Sequence, residues 1–142
     1  MNEYTLPELS VGLTESFSRE ITAEMEDAFR AVSGDVNPLH RDDDFARAAG
    51  GGRFSGHVAF GMLTASLYSA LAGVYLPGKH SLIHSFDELS FLKPVYAGDT
   101  LTVTGTVAEK WDELGMIRVK AKIKNQNGKT VSRANIKIMV LQ

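Results

Sequence analysis

The sequence predicts an α+β fold in which an antiparallel sheet curves around one long buried helix. Three observations predict it. Val58 to Leu76 is a run of 19 residues without a charge, the mark of a helix that is apolar on nearly every side. Everything beyond that run reads as strand, with alternating segments separated by turn residues. The helix-forming signals come first and the strands last, which is the order of an α+β chain rather than of repeated strand–helix units. At 142 residues the chain is expected to be a single domain, 1–142, able to bury roughly two-thirds of its unfolded surface.

Each element has its own justification. Leu9 to Ile21 reads as an extended entry segment with partial alternation. Thr22 is a helix N-cap, followed by Glu24, Glu26 and Asp27 in the early turns, where the helix dipole favours acids. Met25, Ala28, Phe29 and Val32 recur at helical spacing, and Gly34 stops that helix. Asp42 or Asp43 caps a short helix through Ala49, which Gly50 to Gly52 break. The apolar helix is expected from about Val58 to Tyr75, ended by Pro77-Gly78. His80 to Phe86 and Glu88 to Lys93 form one extended region with a bend at Asp87, and Pro94 to Asp99 turns the chain. Leu101, Val103, Gly105 and Val107 share one strand face. After a turn at Asp112 to Gly115, Ile117, Val119, Ala121 and Ile123 alternate with Arg118, Lys120, Lys122 and Lys124. Asn127-Gly128 is a hairpin turn, and Val131, Ile136, Ile138 and Val140 mark the last strand.

Composition removes several classes of function. A formal charge of −2 gives no basic surface for nucleic acid. The absence of cysteine rules out disulfides and thiolate chemistry and fits a reducing compartment. Met1 to Ser10 contains Glu3 and Glu8 and has no apolar stretch of the kind a signal peptide needs. The 19-residue apolar run is long enough for a membrane, but Gly61, Thr64, Ser66, Ser69 and Gly73 dilute it and no basic clusters flank it. It reads as a helix buried by its own protein, with no membrane partner, and the expected location is cytoplasmic.

Ser33-Gly34-Asp35-Val36-Asn37-Pro38-Leu39-His40 carries the chemistry. Gly34 tolerates positive φ, Pro38 fixes its own φ and restricts Asn37, and Asn37 can bond local backbone. The result is a stiff loop holding a carboxylate and an imidazole five residues apart. Such a pair can share one water, removing a proton from it and supplying one elsewhere.

The octapeptide resembles the D-x-N-P-x-H motif of the MaoC-like, (R)-specific enoyl-CoA hydratases. The resemblance extends through Phe29, Phe45-Ala46, Gly61-Met62-Leu63, Leu76-Pro77-Gly78 and Phe91 to Asp99, in the family's order. It implies the hot-dog fold, a homodimer with sites near the subunit interface, and reversible hydration of 2-enoyl thioesters carried by coenzyme A or acyl carrier protein (ACP). No metal or other cofactor is implied. Asp35 is then the base that orients and deprotonates water, and His40 holds or donates a proton near neutrality. Which of the two handles the Cα proton stays open. The resemblance makes the Gly61 N–H the oxyanion donor, and an unpaired first-turn amide suits that role. It also sets Asn37, Phe60 and Met62 beside the substrate, Asn37 orienting the loop or the ligand. Phe60 departs from the family, which usually has histidine there, and His57 stands where proline is common.

Two rival functions share these residues: a hot-dog acyl thioesterase, in which water attacks the carbonyl, and a non-catalytic acyl-thioester-binding subunit. Other side chains read more simply. His80 and His84 lie on a strand, where their spacing does not converge on a metal. Asp42-Asp43-Asp44 is accounted for by capping and solvated charge, and Trp111 by packing. Arg53, Lys79 and Lys93 are the cations available to coenzyme A phosphates.

Overall fold

The computed structural model of the protein describes residues 1–141. Five strands form one antiparallel sheet in the order β1-β3-β4-β5-β2: β1 Thr14–Glu20, β2 Ser81–Phe91, β3 Thr100–Trp111, β4 Met116–Lys124 and β5 Thr130–Val140. Three helices precede β2: α1 Ala23–Ser33, α2 Asp43–Ala49 and α3 Gly61–Ala70. A π-helical turn at Leu71–Tyr75 extends α3 to the predicted C-terminal end.

The alternation read from β3 and β4 sets the inner face of the sheet. Leu101, Val103, Val107, Ile117, Val119 and Ile123 are all fully buried. A row of small residues crosses this face in register, Gly105 opposite Ala121 and Ala121 opposite Ala134. The row lets the helix come close. A Cβ on Gly105 would stand 2.8 Å from a methyl of Leu71 and 2.9 Å from one of Val119, nearer than carbon atoms can pack. The last strand differs from the simple pattern, because Ser132 holds an inward position. It accepts a hydrogen bond from the Tyr68 hydroxyl at 2.9 Å and donates to the Ser90 carbonyl at 2.9 Å. The buried phenol is therefore satisfied, and burial pushes its pKa up to about 12 against the opposing bond to Ser132.

The local signals of the first half are realised. The Thr22 hydroxyl accepts from Met25 N–H, and Gly34 ends α1 in the left-handed region at φ +73°. Asp42, not Asp43, caps α2 by accepting from Phe45 N–H. The bend expected near Asp87 is present as a register shift between Asp87 and Ser90, with Glu88 at φ +55°.

The start of the central helix differs from the sequence reading. It begins at Gly61, three residues beyond Val58. Val58 N–H bonds the Leu39 carbonyl at 3.1 Å and Ala59 N–H bonds the Val95 carbonyl at 2.7 Å. These long-range partners keep residues 57–60 out of the helix. The helix is also not apolar all round: Met62, Ser66 and Ser69 form an exposed stripe at helical spacing. No helix among the described residues is long and apolar enough to cross a membrane.

Candidate active site

The loop between α1 and α2 is locked by its own side chains. The Ser33 hydroxyl accepts from Asp35 N–H at 3.1 Å, Asp35 Oδ1 from Asn37 N–H at 3.0 Å, and Asn37 Oδ1 from Leu39 N–H at 3.0 Å. Pro38 then opens a short 3-10 turn, Pro38–His40. Each polar residue thus satisfies the backbone two positions on, as Asx turns do. Asn37 commits its acceptor oxygen to the loop and so acts as the loop's brace.

This scaffold leaves one carboxylate oxygen and one imidazole nitrogen free. Asp35 Oδ2 lies 3.9 Å from His40 Nε2, with the aspartate side chain 44% exposed and the histidine 15%. The gap is too long for a direct hydrogen bond. It suits an atom that bonds both, such as a water about 2.8 Å from each. On the other side of the ring, His40 Nδ1 is 2.8 Å from the Val58 carbonyl. A carbonyl can only accept, so Nδ1 carries a proton and the neutral ring presents a bare Nε2 to Asp35.

His40 is held from behind. Phe60, only 2% exposed, packs on its ring at a centroid distance of 4.4 Å and on Phe29 at 5.0 Å. The Arg30 guanidinium lies over Phe60 at 5.7 Å and donates to the His40 carbonyl at 3.3 Å. Phe60 is therefore chiefly a buried backing for the imidazole.

Gly61 is the first residue of α3, and its amide has no hydrogen-bond partner among the described residues. Two clefts meet at it. One, of about 280 Å³, is bordered by Asp35, His40, Phe60, Gly61, Met62 and Phe91. The other, of about 340 Å³, also includes His40, Gly61 and Phe91 and runs past Thr64, Lys93 and Val95. Asp35, His40 and Gly61 are thus brought together around one space, with the exposed Met62 at its rim. Of the three cations singled out, Lys93 borders the second cleft, Lys79 is paired with Glu3 at 3.2 Å, and Arg53 bonds the Gly50 carbonyl.

Three residues near this space lack a sequence signal. Thr64 is buried and its hydroxyl has no partner, although it borders the second cleft. Arg30 has only the appearance of a late-helix cation. Glu26 is buried, its side chain 5% exposed, against His57. His57 lies in the non-helical segment before α3, with Asp43 Oδ1 2.6 Å from Nδ1 and Glu26 Oε2 3.2 Å from Nε2. The two carboxylates flank opposite ring nitrogens, so the trio does not converge on a single ion, and no group able to hold a metal occurs among the described residues.

The chain is similar to known proteins. Residues 10–135 match the family described as the MaoC like domain. An (R)-specific enoyl-CoA hydratase of Aeromonas caviae is 38% identical over 120 residues, covering 84% of this chain and 87% of its own. A 3-hydroxybutyryl-CoA dehydratase of Methylorubrum extorquens is 38% identical over 102 residues, covering 72% of this chain and 62% of its own. The structure of an R-hydratase from Pseudomonas aeruginosa superposes with a TM-score of 0.87 at 33% identity, covering 97% of this chain and 86% of that one. With residues 10–135 matched to that family and its sheet wrapped on one central helix as in the solved hydratase, this chain belongs to the MaoC-like dehydratases of hot-dog fold.

Proposed function

We propose that the protein is an (R)-specific 2-enoyl-thioester hydratase, equally a 3-hydroxyacyl-thioester dehydratase, acting on chains carried by coenzyme A or acyl carrier protein. The observation that carries this reading is the 3.9 Å gap between Asp35 Oδ2 and His40 Nε2, in residues bordering the same cleft as Gly61, whose N–H is unpaired among the described residues. The relatives named as hydratases and dehydratases support it.

The reaction follows from those atoms. A water bonded by Asp35 and His40 is aimed at Cβ of the enoyl group. As its oxygen bonds Cβ, the double-bond electrons move toward the thioester carbonyl, whose oxygen gains charge and is met by Gly61 N–H. A preorganised donor of this kind is worth about 3 kcal/mol in the transition state. The pair removes one proton from the water and returns one to Cα, so that water adds across the double bond with no other reactant. Elimination is the same path reversed.

The same reading makes the protein a homodimer. β2 is an edge strand, paired to β5, and along it Leu82, Phe86 and Phe91 are exposed, with Phe91 bordering the site. Such an edge is a surface for pairing with a second chain. Light scattering at twice the monomer mass is the expected result.

Incubation with short 2-enoyl thioesters on both carriers, with chiral analysis of the product, tests the function. The expected product is the (R)-3-hydroxyacyl thioester. Free thiol without hydrated product would instead identify a thioesterase, and binding without turnover a non-catalytic subunit.

A further inference from the structure

His57 takes no part in the water chemistry, yet its ring is more constrained than that of His40. Nδ1 is 2.6 Å from Asp43 Oδ1, which also accepts the His57 backbone N–H at 2.8 Å. Nε2 faces both oxygens of Glu26, 3.2 Å from Oε2 and 3.4 Å from Oε1, and carboxylate oxygens can only accept. A neutral imidazole has one N–H and cannot donate on both sides. A buried carboxylate with no other partner also strongly favours a cation beside it. Both facts call for an imidazolium.

The residue that follows His57 is the one on which His40 depends. The Val58 carbonyl accepts from His40 Nδ1, while Val58 N–H bonds the Leu39 carbonyl. His57 thus ties α1 through Glu26, and the start of α2 through Asp43, to the segment before α3 that sets His40's tautomer. We infer that His57 is a positioning residue: clamped as an imidazolium between Glu26 and Asp43, it fixes the Val58 carbonyl that orients His40, and its deprotonation loosens that hold. The inference rests on His40 being the proton-handling group of the proposed hydratase.

The surroundings are consistent with a retained proton. Besides the two carboxylates in contact, α1 contributes Asp27 and Arg30 to the cleft beside His57, and the preceding loop contributes Arg41 and His40. Arg30 is engaged by Asp27 at 2.8 Å, and Arg47 on α2 acts on Asp43 rather than on the ring. Burial opposes the charge on His57, but the hydrogen bonds to Asp43 and Glu26 outweigh it and hold the ring's pKa above the ordinary histidine value.

Two measurements on the full-length protein test this. First, long-range nitrogen–proton correlation spectra of the imidazoles are recorded across pH. His57 is expected to be protonated on both nitrogens at neutrality and to titrate above the ordinary range, while His40 keeps its proton on Nδ1. In His57→Gln, or in the milder Asp43→Asn should the first variant fold poorly, His40 is expected to populate both tautomers. A neutral His57 at pH 7, or an unchanged His40 spectrum in both variants, overturns the inference whether or not the protein is a hydratase. Second, the dependence of kcat on pH is compared between parent and variant. The parent's alkaline decline is expected to vanish in His57→Gln, with kcat roughly ten- to a hundred-fold lower, as expected for a misplaced catalytic group, and KM nearly unchanged. A variant that keeps the parent's rate and decline refutes the clamp. A parent inactive on every enoyl thioester refutes the proposed activity, and the spectra then judge the clamp alone.

Discussion

His40 and His57 lie on either side of one short segment, and each faces a carboxylate, yet they are built oppositely. His57 has both nitrogens engaged, at 2.6 Å and 3.2 Å. His40 has one nitrogen tied to a carbonyl and the other facing Asp35 across 3.9 Å. A histidine whose polar atoms are all satisfied can only hold structure, because nothing remains with which to meet a ligand. One that is fixed on one side and bare on the other is rigid and still available. The contrast separates the short contacts of His57, which belong to the frame, from the open Asp35–His40 gap that the proposed chemistry would use, where contacts would tighten only when substrate arrives.

The largest expected effect breaks the free side. Asp35→Asn keeps the oxygen that braces Asn37 N–H but removes the charge, and His40→Ala removes the imidazole. Each should lower kcat/KM by about 10²- to 10⁴-fold, measured with a short enoyl thioester. Asp35→Asn should unfold within about 0.5 kcal/mol of the parent, as surface changes usually do. Loss of rate matched by loss of fold would mean that the loop, not its chemistry, had been destroyed.

Next comes the backing of His40. Phe60 is buried and touches both His40 and Phe29, so Phe60→Ala should cost about 3 kcal/mol or more in urea unfolding. If Phe60 served only as a substrate contact, its removal would change KM and leave stability alone.

The clamp should also appear in the pH dependence of stability. His57's folded pKa is raised, so its contribution is complete below the ordinary histidine value and is lost as pH rises through the folded one. Asp43's folded pKa is lowered, first by the His57 backbone N–H and then by its ring. Its contribution is complete above the ordinary carboxylate value and lost as pH falls through the folded one. Stability should therefore be greatest between these two limits and flatter in His57→Gln, read from thermal unfolding across pH.

How much of this was legible follows from where the partners lie in the chain. Thr22, Gly34, Asn37 and Asp42 bond within four residues of themselves, and their roles can be read from local turn and cap chemistry. The alternating faces of β3 and β4 are equally local. The start of α3 was not legible, because Val58, Ala59 and Phe60 continue the apolar run and the bonds that keep them out of the helix come from Leu39 and Val95, far away in the chain. Glu26 read as a first-turn acid with the helix dipole as its reason, since nothing nearby announces His57, 31 residues later. The motif makes Asp35, His40 and Gly61 candidates, but the tautomer of His40 depends on a carbonyl 18 residues away, which no local pattern announces.

The smallest expected effects carry the same comparison into the central helix. Tyr68 and Thr64 are buried one turn apart, and only Tyr68 has a partner. Tyr68→Phe deletes a satisfied hydrogen bond and should lower stability by about 1 kcal/mol with kcat/KM unchanged. Thr64→Val replaces an unpaired hydroxyl by a methyl of the same shape and should raise stability by about 1 kcal/mol. Because that hydroxyl borders the cleft shared by His40 and Gly61, the same change should lower kcat/KM. A gain in stability without a loss of rate would show that an unpaired polar group beside this cleft is a packing defect. The bare Nε2 of His40 would then owe its importance to Asp35 rather than to being unpaired.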